Sequence, residues 1–180
     1  MKSIGLDTYR FSISWPRIFP EGTGSINEKG FDFYDKLIDN LLAEGITPYV
    51  TLFHWDLPQK LEENYGGWRN KKVSNFFAEY AAEVTKRFSD RVSNWMTINE
   101  IKCFTTISHR EGRHAPGQIE PEQIVNQTVH NSLLSHGLAV RAIRENAKLK
   151  PSIGIVENLD TAWPVIDTDE NILAAKKSLD

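Results

Sequence analysis

The strongest constraint on the fold of this chain is a repeated alternation along it. Residues 8–14, 47–53, 92–98 and 152–156 are short runs rich in aromatic and β-branched side chains. Between them lie longer segments whose apolar residues recur every three to four positions. In residues 28–44 the stripe is Phe31, Tyr34, Leu37, Ile38, Leu41 and Leu42, and Gly45 supplies a helix stop. After Asn70, a predicted N-cap, it is Val73, Phe76, Phe77, Tyr80, Val84 and Phe88. In residues 121–146 it is Val125, Val129, Leu133, His136, Val140 and Ile143. Pro16, Pro20, Gly22 and Gly24 mark a turn, and residues 54–69 read as one long loop. The opening residues read as the end of a helix stopped by Gly5, and residues 172–179 begin another helical pattern.

Strands alternating with helices at a steady interval argue for βαβ units on a parallel sheet. A doubly wound sheet and a (β/α)8 barrel both satisfy that pattern, and the first strand separates them. Thr8, Arg10, Ser12 and Ser14 share one face, whereas Tyr9, Phe11, Ile13 and Trp15 share the other. A doubly wound sheet is covered by apolar helices on both faces, so its strands read apolar throughout. A polar, charged face suits a barrel interior that opens onto a polar pocket. No glycine-rich phosphate loop follows any strand, which argues against nucleotide binding. Four strands amount to half of such a barrel. The expected fold is therefore α/β, a partial (β/α)8 TIM barrel forming a single domain over residues 1–180, and the abrupt ends of the pattern read as an internal piece of a longer chain.

Composition narrows the function classes. The net charge is -3 and no run of Lys or Arg marks a basic face, so neither nucleic acid nor membrane is expected as a partner. No apolar stretch is long enough to span a bilayer, and no apolar segment follows Lys2 as in a signal peptide. The single cysteine, Cys103, rules out an internal disulfide and any cysteine-based metal motif. A cytoplasmic location with no cofactor and no metal is the corresponding expectation.

In parallel βα folds, functional groups collect beyond the carboxyl ends of the strands. Here those ends offer Arg10, Trp15 and Arg17, then His54, Trp55 and Asp56, then Asn99 and Glu100, and last Glu157 and Asn158. Aromatic faces stack on pyranose rings, while amides and carboxylates bind hydroxyls, so the set suits a sugar. Each residue also has an ordinary reading: a solvated loop glutamate, a turn asparagine, a surface arginine, a loop histidine, a core aromatic.

Longer motifs sharpen the choice. YRFSISWPRIFPEGTG (residues 9–24), VTLFHWDLPQ (50–59), GGW (66–68), WMTINE (95–100), RHAPG (113–117) and HNSLLSHGLAV (130–140) resemble, in order and spacing, successive blocks of glycoside hydrolase family 1. The resemblance covers nearly the whole chain and implies strands two to five of the family's barrel. It implies a retaining β-glycosidase, in the β-glucosidase or 6-phospho-β-glucosidase range, acting on a β-glycoside or oligosaccharide. Such an enzyme needs two carboxyl groups about 5–5.5 Å apart, one a proton donor and one a nucleophile.

By the resemblance Glu100 is the acid/base, Asn99 binds the sugar 2-hydroxyl, and His54 and Trp55 contact the sugar in the reacting subsite. Arg10 is the partner that holds the nucleophile ionised. The family's nucleophile lies in a Thr-Glu-Asn-Gly block after the seventh strand, and this chain contains no such block. Alone, the chain is expected to be inactive and to leave Arg10 as an unpaired charge. Two departures stand out: Ile101 occupies the position where the family usually has proline, and residues 107–111 lack the usual aromatic and glycine pattern.

Trp15 and Trp68 read as packing residues. His114, His130 and His136 read as structural, with His136 satisfying a backbone carbonyl. The alternative function is a catalytically inactive sugar-binding relative, or a half-barrel that associates with a complementary barrel fragment or with itself. The pattern predicts four parallel strands that bring Arg10 and Glu100 to one pocket.

Overall fold

Strands β1 (Thr8–Ser12), β2 (Thr47–Phe53), β3 (Asn94–Asn99) and β4 (Ser152–Val156) lie side by side in chain order, every neighbouring pair parallel. They are seen in a computed structural model that describes residues 1–159 and 161–178. Phe11 pairs with Val50, Val50 with Trp95, and Trp95 with Ile153, so the register brings the carboxyl ends of adjacent strands together. Among the described residues, β1 and β4 form the two edges of the sheet.

The first strand is followed by the single turn α1 (Trp15–Ile18) and then by α2 (Glu28–Ala43). After β2 come α3 (Gln59–Tyr65), a 3-10 turn (Gly67–Arg69) and α4 (Lys72–Phe88). After β3 come the short α5 (Ile101–Phe104) and α6 (Thr106–His109), then the long α7 (Glu122–Asn146). The last described element is α8 (Asp169–Lys177); the expected continuation through Leu179 lies outside the described residues. Gly45, at φ 66°, ends the turn after α2 in the left-handed region, as its position implied. The N-cap of α4 is Lys71 rather than the expected Asn70, whose side chain accepts from the N–H of Lys72 at 3.0 Å just ahead of the helix.

The core is aromatic and centres on Trp15, which is fully buried. Its ring stacks on Tyr80 (5.3 Å, 10°) and meets Phe53 edge-on (6.4 Å, 84°). The Trp15 indole N–H donates to the Gly22 carbonyl at 3.1 Å. Gly22 sits at φ +86°, and a Cβ there would lie 2.3 Å from Leu61 Cγ, so any L side chain would be both strained and in collision. The Tyr80 hydroxyl lies 2.9 Å from the Leu52 carbonyl and 3.2 Å from that of Ile13. One buried phenol thus ties the carboxyl end of β2 to the chain leaving β1. On the outside, Arg87 and Arg91 clamp Asp35 of α2 at 2.7 and 2.5 Å.

Four further expectations from the sequence need correction. The first strand ends at Ser12 rather than residue 14, because Pro16 starts the helical turn α1. Residues 54–69 are not one loop; α3 lies within them, but it buries only Leu61, so it has no periodic stripe to read. On α7 the buried face is Val125, Thr128, Asn131, Ser132, Ser135, Ala139, Ala142 and Ile143, while Leu133 is 53% exposed. This face packs on α4, and close approach of two helices favours small side chains. The hydroxyls of Thr128, Ser132 and Ser135 are satisfied within α7, by the carbonyls of Val125, Thr128 and Asn131. The same packing rotates His136 away from a carbonyl: its Nδ1 meets Thr97 Oγ1 of β3 at 2.7 Å.

Removing the Tyr80 hydroxyl tests how the strand ends are tied. Tyr80→Phe removes the one hydroxyl proton that the buried Leu52 and Ile13 carbonyls share and should cost about 1–3 kcal/mol. The urea midpoint should fall with the slope unchanged. A midpoint equal to wild type would mean that this tie contributes nothing.

Candidate functional site

The strand ends converge on Asn99, the last residue of β3, which is 2% exposed. Its Oδ1 accepts from the Arg10 guanidinium of β1 at 3.0 Å. Its backbone carbonyl accepts from the Trp55 indole N–H at 2.8 Å. Arg10, Trp55 and Asn99 thus join the ends of three strands. Arg10, expected to stand without its carboxylate partner, is exposed and donates to a neutral amide.

Two non-glycine residues in the described chain have positive φ, and both belong to this cluster: Trp55 at 80° and Glu100 at 50°. Each such conformation costs on the order of 1–3 kcal/mol and persists only where the surroundings impose it. Trp55 is held by its bond to Asn99 and by His114, whose ring stacks on it at 5.4 Å and 28°. His114 is itself fixed by the Cys103 carbonyl, 3.0 Å from its Nδ1. His54 lies edge-on to Trp55 at 5.1 Å, and its Nδ1 is 3.0 Å from Ser12 Oγ. Ser12 is on the polar face of β1, beside Arg10 in the alternation.

Glu100 follows β3 directly and is half-buried. Its N–H donates to the Val156 carbonyl at the end of β4, at 2.7 Å. The Cys103 thiol donates to Glu100 Oε2 at 3.3 Å. Burial pushes that thiol up to about 11, with the Glu100 carboxylate adding to the effect, so Cys103 stays protonated and remains a donor. The Ile101 N–H donates to Glu157 Oε1 at 3.3 Å. Asp56, next after Trp55, is pushed up by burial against the opposing hydrogen bond of Ser14. A cavity of about 190 Å³ lies beside the cluster, bordered by Trp55, Asp56, Glu62, Trp68 and Phe104. Arg10, Asn99 and Glu100 do not line it.

The five residues singled out in the sequence therefore collect at one end of the sheet. Arg10, Asn99 and Trp55 are directly bonded, His54 packs on Trp55, and Glu100 is the next residue after Asn99. Trp15 and Trp68 are core residues. The reading of the strand ends did not assign Ser12, Cys103 or His114 to the site. Ser12 could have been found from its face of β1, Cys103 from its place one helical turn after Glu100. His114 carried no signal beyond its RHAPG block. Among the described residues, no group of three His, Cys, Asp or Glu side chains could hold a metal ion. Among the same residues, no helix is long and apolar enough to cross a membrane. The chemistry available is proton transfer by a carboxyl group flanked by an amide, a guanidinium, an imidazole and an indole.

Comparison with known proteins gives consistent matches. A model of "Glycosyl hydrolase family 1" matches residues 1–180. Beta-glucosidase A of Thermotoga maritima is 46% identical over 98% of this chain, and beta-glucosidase A of Acetivibrio thermocellus is 48% identical over 99%. The chain spans 39% of the length of each. A solved beta-glucosidase from Thermotoga maritima in complex with deoxynojirimycin superposes with a TM-score of 0.91 at 45% identity, covering 98% of this chain and 39% of that one. The parallel sheet with its alternating helices matches part of a TIM barrel.

One residue near the site carries a pH signature. His109, at the end of α6, is fully buried. Burial lowers its pKa to about 4, and Arg69 adds to the shift against Glu120. Unfolded, a histidine takes up its proton near pH 6.5. The stability from neutral His109 is therefore complete above about pH 6.5 and is lost as pH falls toward 4, by up to roughly 3 kcal/mol. Melting temperatures measured between pH 7 and 4 should fall less steeply for His109→Gln than for wild type. Parallel curves would remove His109 as the cause.

Proposed function

This chain belongs to glycosyl hydrolase family 1, and from that premise we propose that it carries the acid/base half of a retaining β-glucosidase site. The observation that carries the reading is the placement of Glu100 beside the bonded group of Arg10, Asn99 and Trp55, at the carboxyl ends of parallel strands. The relatives' names point to a β-glucoside as substrate.

In the complete barrel, the Glu100 carboxyl group protonates the glycosidic oxygen as the bond to carbon 1 breaks. A second carboxylate, supplied by a strand outside these residues, attacks carbon 1 and forms a covalent glycosyl-enzyme. Arg10 reaches toward that carboxylate and favours its ionised form. Glu100, now deprotonated, takes a proton from the incoming water and completes the hydrolysis. The Arg10 bond occupies Asn99 Oδ1 and leaves the Nδ2 donors for the sugar 2-hydroxyl. Ser12 ties up His54 Nδ1 and leaves Nε2 for another hydroxyl. Trp55 offers an indole face.

The free edges of β1 and β4 pair with further strands to close the barrel. A chain confined to these residues is inactive and associates with complementary strands or with another copy. A catalytically inactive sugar-binding protein is the competing reading, and activity distinguishes the two.

In the complete barrel, Glu100→Gln removes the proton donor. Hydrolysis of a glucoside with a poor leaving group should fall by about 10²–10⁴-fold, while formation of the glycosyl-enzyme from an activated aryl glucoside should survive far better. Azide, which needs no general base, should restore turnover and give β-glucosyl azide. Equal loss for both substrates without rescue by azide would move the role to another carboxylate, with Glu157 the first to test.

A further inference from the structure

We infer that Glu157 is a positioning residue for Glu100, acting through the backbone N–H of Ile101. The inference rests on the acid/base reading of Glu100 and adds a residue to it.

The first N–H groups of a helix have no partner within the helix. Helix α5 has four residues and starts at Ile101, with Glu100 as its N-cap. A proline at the first helical position would remove the orphan donor and is common there for that reason. Ile101 keeps the donor, directly beside the Glu100 side chain, so an acceptor has to be found. Glu157, the first residue past β4, provides it: its Oε1 lies 3.3 Å from the Ile101 nitrogen.

This bond does not act alone. The Glu100 N–H already donates to the carbonyl of Val156, the residue before Glu157, at 2.7 Å. Two consecutive N–H groups, those of Glu100 and Ile101, are thus gripped by two consecutive residues at the end of β4. Between them sits the Glu100 backbone at φ 50°, a conformation that neighbouring structure has to impose. The Cys103 thiol then steadies the carboxylate itself at Oε2. Glu157 therefore helps to determine where the Glu100 carboxyl group points, while one of its own oxygens is engaged by the backbone. Its ordinary reading is a solvated loop carboxylate, since it is exposed. That reading gives no reason for one substitution at residue 157 to depend on the donor at residue 101.

The test uses the complete barrel and three substitutions. Glu157→Ala deletes the acceptor. It should lower kcat for a poor leaving group by about tenfold or more, leave an activated aryl glucoside within about threefold, and barely move KM. Glu157→Gln keeps an acceptor oxygen and should stay within about threefold on both substrates. Ile101→Pro removes the donor, so adding Glu157→Ala to it should cause no further loss. Amide hydrogen exchange at Ile101 should be faster in Glu157→Ala and unchanged in Glu157→Gln. The inference is overturned if the alanine variant harms both substrates equally, if its effect persists beside proline, or if exchange at Ile101 does not respond. A wild-type barrel with no turnover would instead overturn the proposed function, and the exchange experiment would still decide the Glu157–Ile101 bond.

Discussion

The arrangement of the site depends on one residue doing two things. Asn99 ends β3, and it accepts a hydrogen bond at its side-chain oxygen from Arg10 and another at its backbone carbonyl from Trp55. Parallel pairing in register brings the ends of β1, β2 and β3 close together, but it does not orient their side chains. The Asn99 bonds do. They hold Trp55 in a backbone conformation that a tryptophan adopts only under constraint, and they aim a guanidinium along the polar side of the sheet. Glu100 inherits its place as the next residue in the chain.

Behind that surface lies an apolar support with little freedom. The stack of Trp15 on Tyr80 and the edge contacts with Phe53 fill the space behind the strand ends, and the polar atoms of both rings are bonded to backbone carbonyls. Well-packed aromatic rings with satisfied polar groups resist the small displacements that would loosen a site built on strand ends. The division of labour follows the alternation in β1 and its continuation: Arg10 and Ser12 serve the site, and Phe11, Ile13 and Trp15 serve the core.

That alternation was legible in the sequence, and so were the four parallel strands, the long helices and the residues at the strand ends. What escaped reading has identifiable causes. Helix α3 and the pair α5 and α6 are too short to show a period, although α5 buries Ile101, Cys103 and Phe104. The buried face of α7 is built largely from Ser, Thr, Ala and Asn, with Val125 and Ile143 at its two ends, because α4 comes close and the hydroxyls bond within their own helix; of the apolar stripe in the sequence only Leu133 is exposed. The roles of His114 and Glu157 depend on distances of about 3 Å between residues that spacing alone does not relate. Arg10 shows the reverse case: its face was read correctly, and only its bond to Asn99 was not foreseen.

The central claim is that Glu100 works in a double displacement, as acid first and base second. The stereochemistry of the product tests it most directly. With the complete barrel and an aryl β-glucoside, proton NMR in the first minutes, before mutarotation, should show β-glucose as the first product. If α-glucose forms first, the reaction is a single displacement with its carboxyl groups about 6.5–9.5 Å apart, and neither the two-step role of Glu100 nor the pairing of Arg10 with a nucleophile holds.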